Sequence, residues 1–445
     1  MLNKLFKMEK YNTDIKTEIL AGITTFMAMS YILGVNPGML SKTGMPIESV
    51  FIATALASGI ASIIMGLLSN YPVAVAPGMG LNALFTYTIV LDMGLSWKAA
   101  LAAVFLSSIL FLIITVSGLR EAILNEFPKD LKLAIGAGIG FFLAFLGVVN
   151  AGIIVSNPMN IVSLGNISSP PVFLATIGII ITLILFIKKV PFAVFLGLLI
   201  TAFIGVIFTL IGFTVPDVAL PTIPKTFISF NLDFSVFGGF VQGFGELFEN
   251  IPRCAIILFS LLFVVFFDTT GTLIPLAKQC GYENEDGTTE GINRAFLGDA
   301  IGGIIGAVFG SSTVSAYVEN ATGIELGGRT GITAIVTGIL FIFSVFMSPT
   351  VLSLFTSSVT AAALVIVGII MFSEIKDIDW DNISILSSVF ITIIMMTFTN
   401  SISLGIAFGF NTYVITTIAL GKYKELTPLV WVTFIIFVIY LFIRL

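Results

Sequence analysis

Long apolar runs follow one another along this chain with short polar connections, each able to cross or half-cross about 30 Å of hydrocarbon. They fall at 18–36, 47–69, 72–91, 97–117, 131–152, 171–188, 190–212, 254–277, 295–310, 311–326, 330–347, 350–373, 383–398, 402–420 and 427–443. Two of them, 72–91 and 311–326, are too short or too rich in Gly and Ser for ordinary spans. In SNYPVAVAPGMGLNALF (69–85) a β-branched, Pro-bounded stretch gives way to a helix-forming pattern after Pro77-Gly78-Met79-Gly80. GSSTVSAYVENATGI (310–324) makes the same change before Glu319-Asn320. Each is predicted to be extended for half a membrane and helical for the rest. Such backbone survives at membrane depth only where it faces protein or a wet cavity. The opposed half-helix starts then make a polar site near the midplane.

Composition turns this pattern into a solvent argument. Of the 445 residues 57% are hydrophobic and 10% are charged, against roughly a quarter charged in soluble domains. So little charge cannot coat a water-soluble surface, and lipid replaces water as the main solvent. The expected fold is an all-α polytopic membrane protein. A net charge of −5, spread over the connections, leaves no electrostatic footprint for nucleic acid. There is no histidine, and Cys254 and Cys280 stand far apart without CxxC spacing. Zinc, haem and His-based catalysis therefore lack their usual groups, no metal or cofactor is expected, and the cysteines read as small apolar fillers. The N-terminal MLNKLFKMEKYNTDIKTE has neither the apolar core nor the cleavage site of a signal peptide, so the first run is a span that stays.

Lys4, Lys7, Lys10 and Lys16 precede that span and place the N-terminus in the cytoplasm by the positive-inside rule. Alternate crossing then puts Arg120, Lys129, Lys132, Lys188, Lys189, Lys278, Arg294, Lys422 and Lys424 inside, and the uncharged connection 153–170 outside. The count gives fourteen crossings or part-crossings with both ends inside, and an unplaced apolar helix at 427–443. The long connection 213–250 divides them seven and seven, and an odd number per half makes the halves insert in opposite senses. The chain therefore reads as a first repeat (1–212), a connecting loop (213–250), a second, inverted repeat (251–420) and a C-terminal extra helix (421–445). Pro37 and Pro275, and Asn82-Ala83 and Asn320-Ala321, share one separation of 238 positions.

Two carboxylates stand inside spans. Asp268, in SLLFVVFFDTTGTLIPLA, follows seven apolar residues and is followed by Thr269, Thr270 and Thr272. A carboxyl there must face water, find a partner or carry a proton, because an unpaired ion costs several kcal/mol. Glu319 is flanked by Asn320 and Thr322, and a carboxylate beside an amide matches a planar heterocycle that presents N–H groups next to ring nitrogens. Asn82 follows a Gly-rich turn, where capping competes with binding, and Phe26 offers a ring for stacking. Glu18, Asn36, Asn150, Asp299, Arg329, Glu374 and Asn400 lie near predicted span ends, where capping or snorkelling suffices.

EILAGITTFMAMSYILGVNP (18–37), PVAVAPGMGLNA (72–83), FFDTTGTLIPLA (266–277) and SSTVSAYVENATGI (311–324) together resemble the nucleobase–cation symporters, in the branch of azaguanine- and hypoxanthine-type purine permeases. The resemblance covers essentially the whole chain. It implies a seven-plus-seven inverted repeat with core and gate domains, and short antiparallel strands in the third and tenth segments. It also implies uptake of adenine, guanine or hypoxanthine coupled to a proton across the cell membrane. The substrate site it implies is Glu319, Asp268, Asn82, Asn320, Phe26 and Thr270, with Asp268 and Glu319 coupling the proton. The implied partners are the base, the proton and the bilayer, with a homodimer allowed. A related uracil-transporting branch has a histidine near the eighth-segment carboxylate, which this chain lacks. Two other classes compete: an anion transporter or channel on the same architecture, which should show a basic residue at the half-helix tips, and an intramembrane aspartyl protease built on Asp268 and Asp299. The latter's motif reads FLGD, not GxGD.

Overall fold

The computed structural model describes residues 6–120, 128–159, 161–216, 218–283 and 289–444, without the side chains of Glu374, Ile443 and Arg444. Lys4 and the Glu374 side chain, both used above, lie outside what is described. Apolar runs become helices because a chain in lipid must satisfy every backbone group internally. Among the described residues eleven helices are long and apolar enough to span, and Ile383–Phe398 and Pro428–Phe442 are shorter apolar helices. The chain is a multi-pass membrane protein.

In chain order the first half holds α1 (Ile15–Met29), α2 (Ile32–Leu40), α3 (Ile47–Ser69), β1 (Val75–Pro77), α4 (Met79–Ala83), α5 (Trp97–Val116), α6 (Lys129–Asn150), the hairpin β2 (Ile154–Asn157) and β3 (Ile161–Leu164), α7 (Pro170–Ile187) and α8 (Ala193–Leu210). After α9 (Phe240–Phe248) come α10 (Ile251–Gln279), α11 (Ile292–Phe309), β4 (Val314–Ala316), α12 (Asn320–Glu325), α13 (Gly331–Ser344), α14 (Ser348–Leu354), α15 (Ser357–Phe372), α16 (Ile383–Phe398), α17 (Ile402–Ala419) and α18 (Pro428–Arg444). The segments 72–91 and 311–326 are strand-then-helix, as the pattern predicts, and β1 pairs antiparallel with β4.

Three details depart from the sequence reading. The first span is interrupted at Ser30-Tyr31 between α1 and α2. α4 continues as a π-helix over Leu84–Asp92, a rare form often found beside functional sites. The break read between 347 and 350 falls instead at Phe355-Thr356, because a 3-10 turn (Val345–Met347) and α14 carry the preceding helix onward to Leu354. Pro349 does not end it, since Pro in a first helical turn lacks only an N–H that would be unpaired anyway.

The helices sort into two packed groups. One gathers α1, α2, α3, α5 and α10–α13, and the other α6–α8 and α15–α17, with α18 against α17. Glycine pairs let backbones touch in each, as in membrane bundles generally: a Cβ on Gly66 would stand 2.4 Å from Gly331 O, and one on Gly368 2.5 Å from Gly140 O.

The connections divide between two faces. On one, Lys10 Nζ meets Glu290 Oε1 at 2.6 Å, the Tyr71 hydroxyl donates to Glu290 O at 2.5 Å, and the Tyr282 hydroxyl donates to Arg329 O. The Lys10 ammonium holds the Glu290 carboxyl below its ordinary range, although a pair this exposed adds at most about 1 kcal/mol. On the other face residues 218–250 are laid over helix ends: Thr222 N donates to Ser353 O, Ser229 N to Phe346 O and Gly238 N to Val308 O. There too Lys42 Nζ donates to Asn150 Oδ1 at 2.6 Å and to the Tyr87 hydroxyl at 3.2 Å. Each contact joins connections that alternate crossing puts on one side.

Candidate functional site

α10 starts where Asn250 accepts a hydrogen bond from Arg253 N, and it runs unbroken past Asp268 to Gln279 with Pro275 inside it. Helical spacing turns its three consecutive polar residues in different directions. Asp268 and Thr270 line a cavity between the two helix groups, while Thr269 is fully buried and donates to Asp299 Oδ2 at 2.6 Å. Asp299 Oδ1 accepts the Ala316 N–H at 2.8 Å, so this carboxyl ties α10 to β4. Thr270 donates to Phe266 O at 2.6 Å and accepts from Arg120 Nη2 at 2.9 Å. The Arg120 guanidinium is buried over the rings of Phe296, Phe111 and Phe266.

The antiparallel pair of β1 and β4 lies at the deep end, where Ala316 reaches the cavity wall. Its register is Val75 with Ala316, Ala76 with Ser315 and Pro77 with Val314. Two asparagines clamp the pair. Asn320 Oδ1 accepts Ala74 N at 2.7 Å and its Nδ2 donates to Ala74 O at 2.9 Å. Across the pair, Ser312 donates to Asn82 Oδ1. Ala74 and Ser312 are themselves 238 positions apart, so each half's asparagine holds a residue just ahead of the other half's strand, Asn320 through backbone N–H and C=O and Asn82 through the Ser312 hydroxyl. Replacing Asn320 by Ala should leave both buried polar groups of Ala74 unpartnered, at about 1–3 kcal/mol each. The expected result is a clear drop in the melting temperature of purified protein; an unchanged melt would mean the clamp contributes nothing.

The cavity, of about 480 Å³, is lined at its deep end by Tyr31, Gly78–Gly80, Asp268, Thr270 and Ala316–Glu319. That volume lies within the ~300–1,000 Å³ of small-molecule sites. A Cβ on Gly78 would stand 3.7 Å from Asp268 Oδ2, so the start of the first half-helix faces that carboxylate directly. Glu319 begins the second half-helix, and its Oε1 accepts the Tyr31 hydroxyl at 2.5 Å. Apolar walls come from Val264, Phe267, Ile139, Val367 and Met371, and the mouth carries Lys129, Lys132 and Asp377.

Three of the six predicted binding residues, Asp268, Thr270 and Glu319, thus share one cavity. Asn82 and Asn320 are fully buried behind it with their amides engaged on strand backbone and Ser312. Phe26 packs edge-on to Phe341, ring centres 5.1 Å apart, and is not in the cavity wall. Glu18 and Asp299, read as span-end residues, are both buried. Glu18 receives Arg329 N, Thr330 N, Thr333 N and the Thr333 hydroxyl, capping α13 from a different helix. Sequence reasoning missed Tyr31, Tyr317 and Arg120. No local signal marks the first, whose partner Glu319 lies in the other half of the chain.

A family profile described as "Permease family" matches residues 16–408. The guanine/hypoxanthine permease PbuG of Bacillus subtilis is 42% identical over 99% of each chain. The adenine permease AdeP of Escherichia coli is 36% identical over 99% of this chain and 95% of its own. Among solved structures, the transmembrane domain of the cyanobacterial bicarbonate transporter BicA superposes with a TM-score of 0.65 at 14% identity, covering 88% of this chain and 97% of that one. At that identity the likeness concerns the fold alone.

Proposed function

Since the chain belongs to the permease family, we propose that it imports purine nucleobases across the cytoplasmic membrane with a proton, by alternating access of the cavity that holds Asp268 and Glu319. The permeases named above for guanine, hypoxanthine and adenine support the substrate class. The single observation that carries the reading is the meeting of two carboxylates in one apolar-walled cavity between two helix groups. A base with ring N–H groups finds acceptors at the polar end and flat apolar walls along its faces.

The architecture proposed with it is fourteen crossings in a seven-plus-seven inverted repeat. The reciprocal Asn82 and Asn320 clamps at one 238-residue separation support the repeat, and the two-faced sorting of connections supports the crossing count. The group containing α1–α3 and α10–α13 serves as the core, and α6–α8 with α15–α17 as the gate. Basic residues on the connections put the N-terminus in the cytoplasm. On that count the cavity's mouth, at Lys129, Lys132 and Asp377, is cytoplasmic, and the Lys42–Tyr87–Asn150 cluster joins core to gate on the sealed outer side.

The experiment is competition for uptake into vesicles. Adenine, guanine and hypoxanthine should each inhibit uptake of the others, whereas adenosine should not, because ribose would have to enter a deep end walled by the backbone of Gly78–Gly80 and Ala316–Glu319. Inhibition by adenosine as strong as by adenine would sink the proposal. Thermal stabilisation across a panel of bases and of inorganic anions separates this reading from an anion carrier, since a ligand stabilises only the state it binds.

A further inference from the structure

The 238-residue separation that relates the two strand clamps also relates Tyr31 to Thr269. Both residues donate a hydroxyl hydrogen bond to a carboxylate: Tyr31 to Glu319 Oε1 at 2.5 Å and Thr269 to Asp299 Oδ2 at 2.6 Å. The second carboxylate is finished by the protein, because its other oxygen receives the Ala316 N–H and the residue is buried. The first is not. Glu319 lines the cavity, and among the described residues the donors to its carboxylate are the Tyr31 hydroxyl and its own backbone N–H, so that no other element of the fold closes it off. Tyr31, by contrast, is held: its ring is fully buried at the Ser30-Tyr31 interruption between α1 and α2.

We propose that Tyr31 is the positioning residue of the substrate site. Its phenol fixes Oε1 and thereby turns Oε2 into a single, aimed acceptor for one ring N–H of the bound base. A glutamate side chain otherwise has three rotatable bonds and would have to be ordered by each incoming ligand, at a cost to affinity. A donor on one oxygen removes that cost before the ligand arrives, and a charge-assisted bond from a buried phenol is strong enough to hold it. The interruption between α1 and α2 has a function on this account: it sets the Tyr31 hydroxyl across the site from its own helix.

The inference rests on the nucleobase reading, and the test separates the two. Dissociation constants for adenine, guanine and hypoxanthine are measured on purified protein for wild type, Tyr31→Phe, Glu319→Gln and the double variant. Tyr31→Phe keeps the ring and its packing and removes the donor, so it should weaken binding of the preferred base by about ten- to a hundredfold, as for a lost hydrogen bond to a charged group. In the Glu319→Gln background the same change should cost less than about twofold, because contacting partners are not additive. A merely structural tyrosine would give the same factor in both backgrounds. Tyr31→His retains an N–H donor and should recover affinity relative to Phe, which keeps the test open if Tyr31→Phe does not yield folded protein. Wild-type affinity in Tyr31→Phe, no advantage of His over Phe, or equal factors in the two backgrounds would each overturn the proposal. Absence of any base binding to wild type would overturn the nucleobase reading instead.

Discussion

Glu319→Gln should remove tight base binding while leaving the protein folded. The change is nearly isosteric, and the amide oxygen can still accept the Tyr31 phenol that now bonds Oε1 at 2.5 Å. What it takes away is the other oxygen. If the amide oxygen stays on Tyr31, the NH₂ group points into the cavity and meets a ring N–H donor with a donor. If it flips to serve the base, Tyr31 faces the NH₂ group. Either arrangement leaves one mismatched pair in a site walled by apolar side chains. Losing the charged partner of a desolvated hydrogen bond costs about 2–5 kcal/mol, which is at least about thirtyfold in dissociation constant. The packing is untouched, so the apo melting temperature should move little. Calorimetric titration of the purified variant decides the matter: unchanged affinity in a folded protein would remove Glu319 from the site.

Much of this arrangement was legible in the sequence, for reasons particular residues make plain. A strand of three residues in a membrane span favours small or β-branched positions. PVAVAPGMG and SSTVSAYVE both carry them, the first adds Pro77-Gly78 where it turns into helix, and β1 and β4 fall on these stretches. Asp268 and Glu319 were legible because an apolar neighbourhood makes any carboxylate conspicuous. The repeated Asn-Ala was legible as a repeat, whereas the protein partners of its amides were not. Its job in each half is to hold the opposite strand, and no feature of a single asparagine distinguishes a ligand amide from one bonded to Ala74. Pairing information of that kind lies in the register between residues more than two hundred positions apart. Tyr31 and Glu18 were hidden for the same reason, since their partners Glu319 and Thr333 lie in the other half of the chain. The helix break at Phe355-Thr356 was hidden differently: Pro349 is the stronger local signal, yet a 3-10 turn delivers it to a first helical turn where it is harmless.

The proton is the remaining partner, and Asp268→Asn should separate its passage from that of the base. A chain without histidine has no side chain that titrates near neutrality in its ordinary state, so a carboxyl is the natural carrier. Asp268 lies on the cavity wall with Thr270, Phe267 and Val264, and it is approached by the backbone of Gly78. Water from the mouth therefore reaches it, while Asp299, one residue removed through Thr269, is buried and bonded on both oxygens. Of the two aspartates, Asp268 is the one placed to exchange a proton with the cavity. If base and proton bind to the same state, each tightens the other's binding by the same factor. Asparagine imitates the protonated carboxyl permanently. It should keep base binding, and keep exchange of labelled for unlabelled base across a vesicle membrane, while accumulation driven by an inward proton gradient falls to the equilibrated level. Wild-type accumulation should collapse in parallel when the pH gradient is dissipated. Accumulation that survives dissipation and follows a sodium gradient would make sodium the coupling ion, and a variant that still concentrates base would move the proton site to another residue.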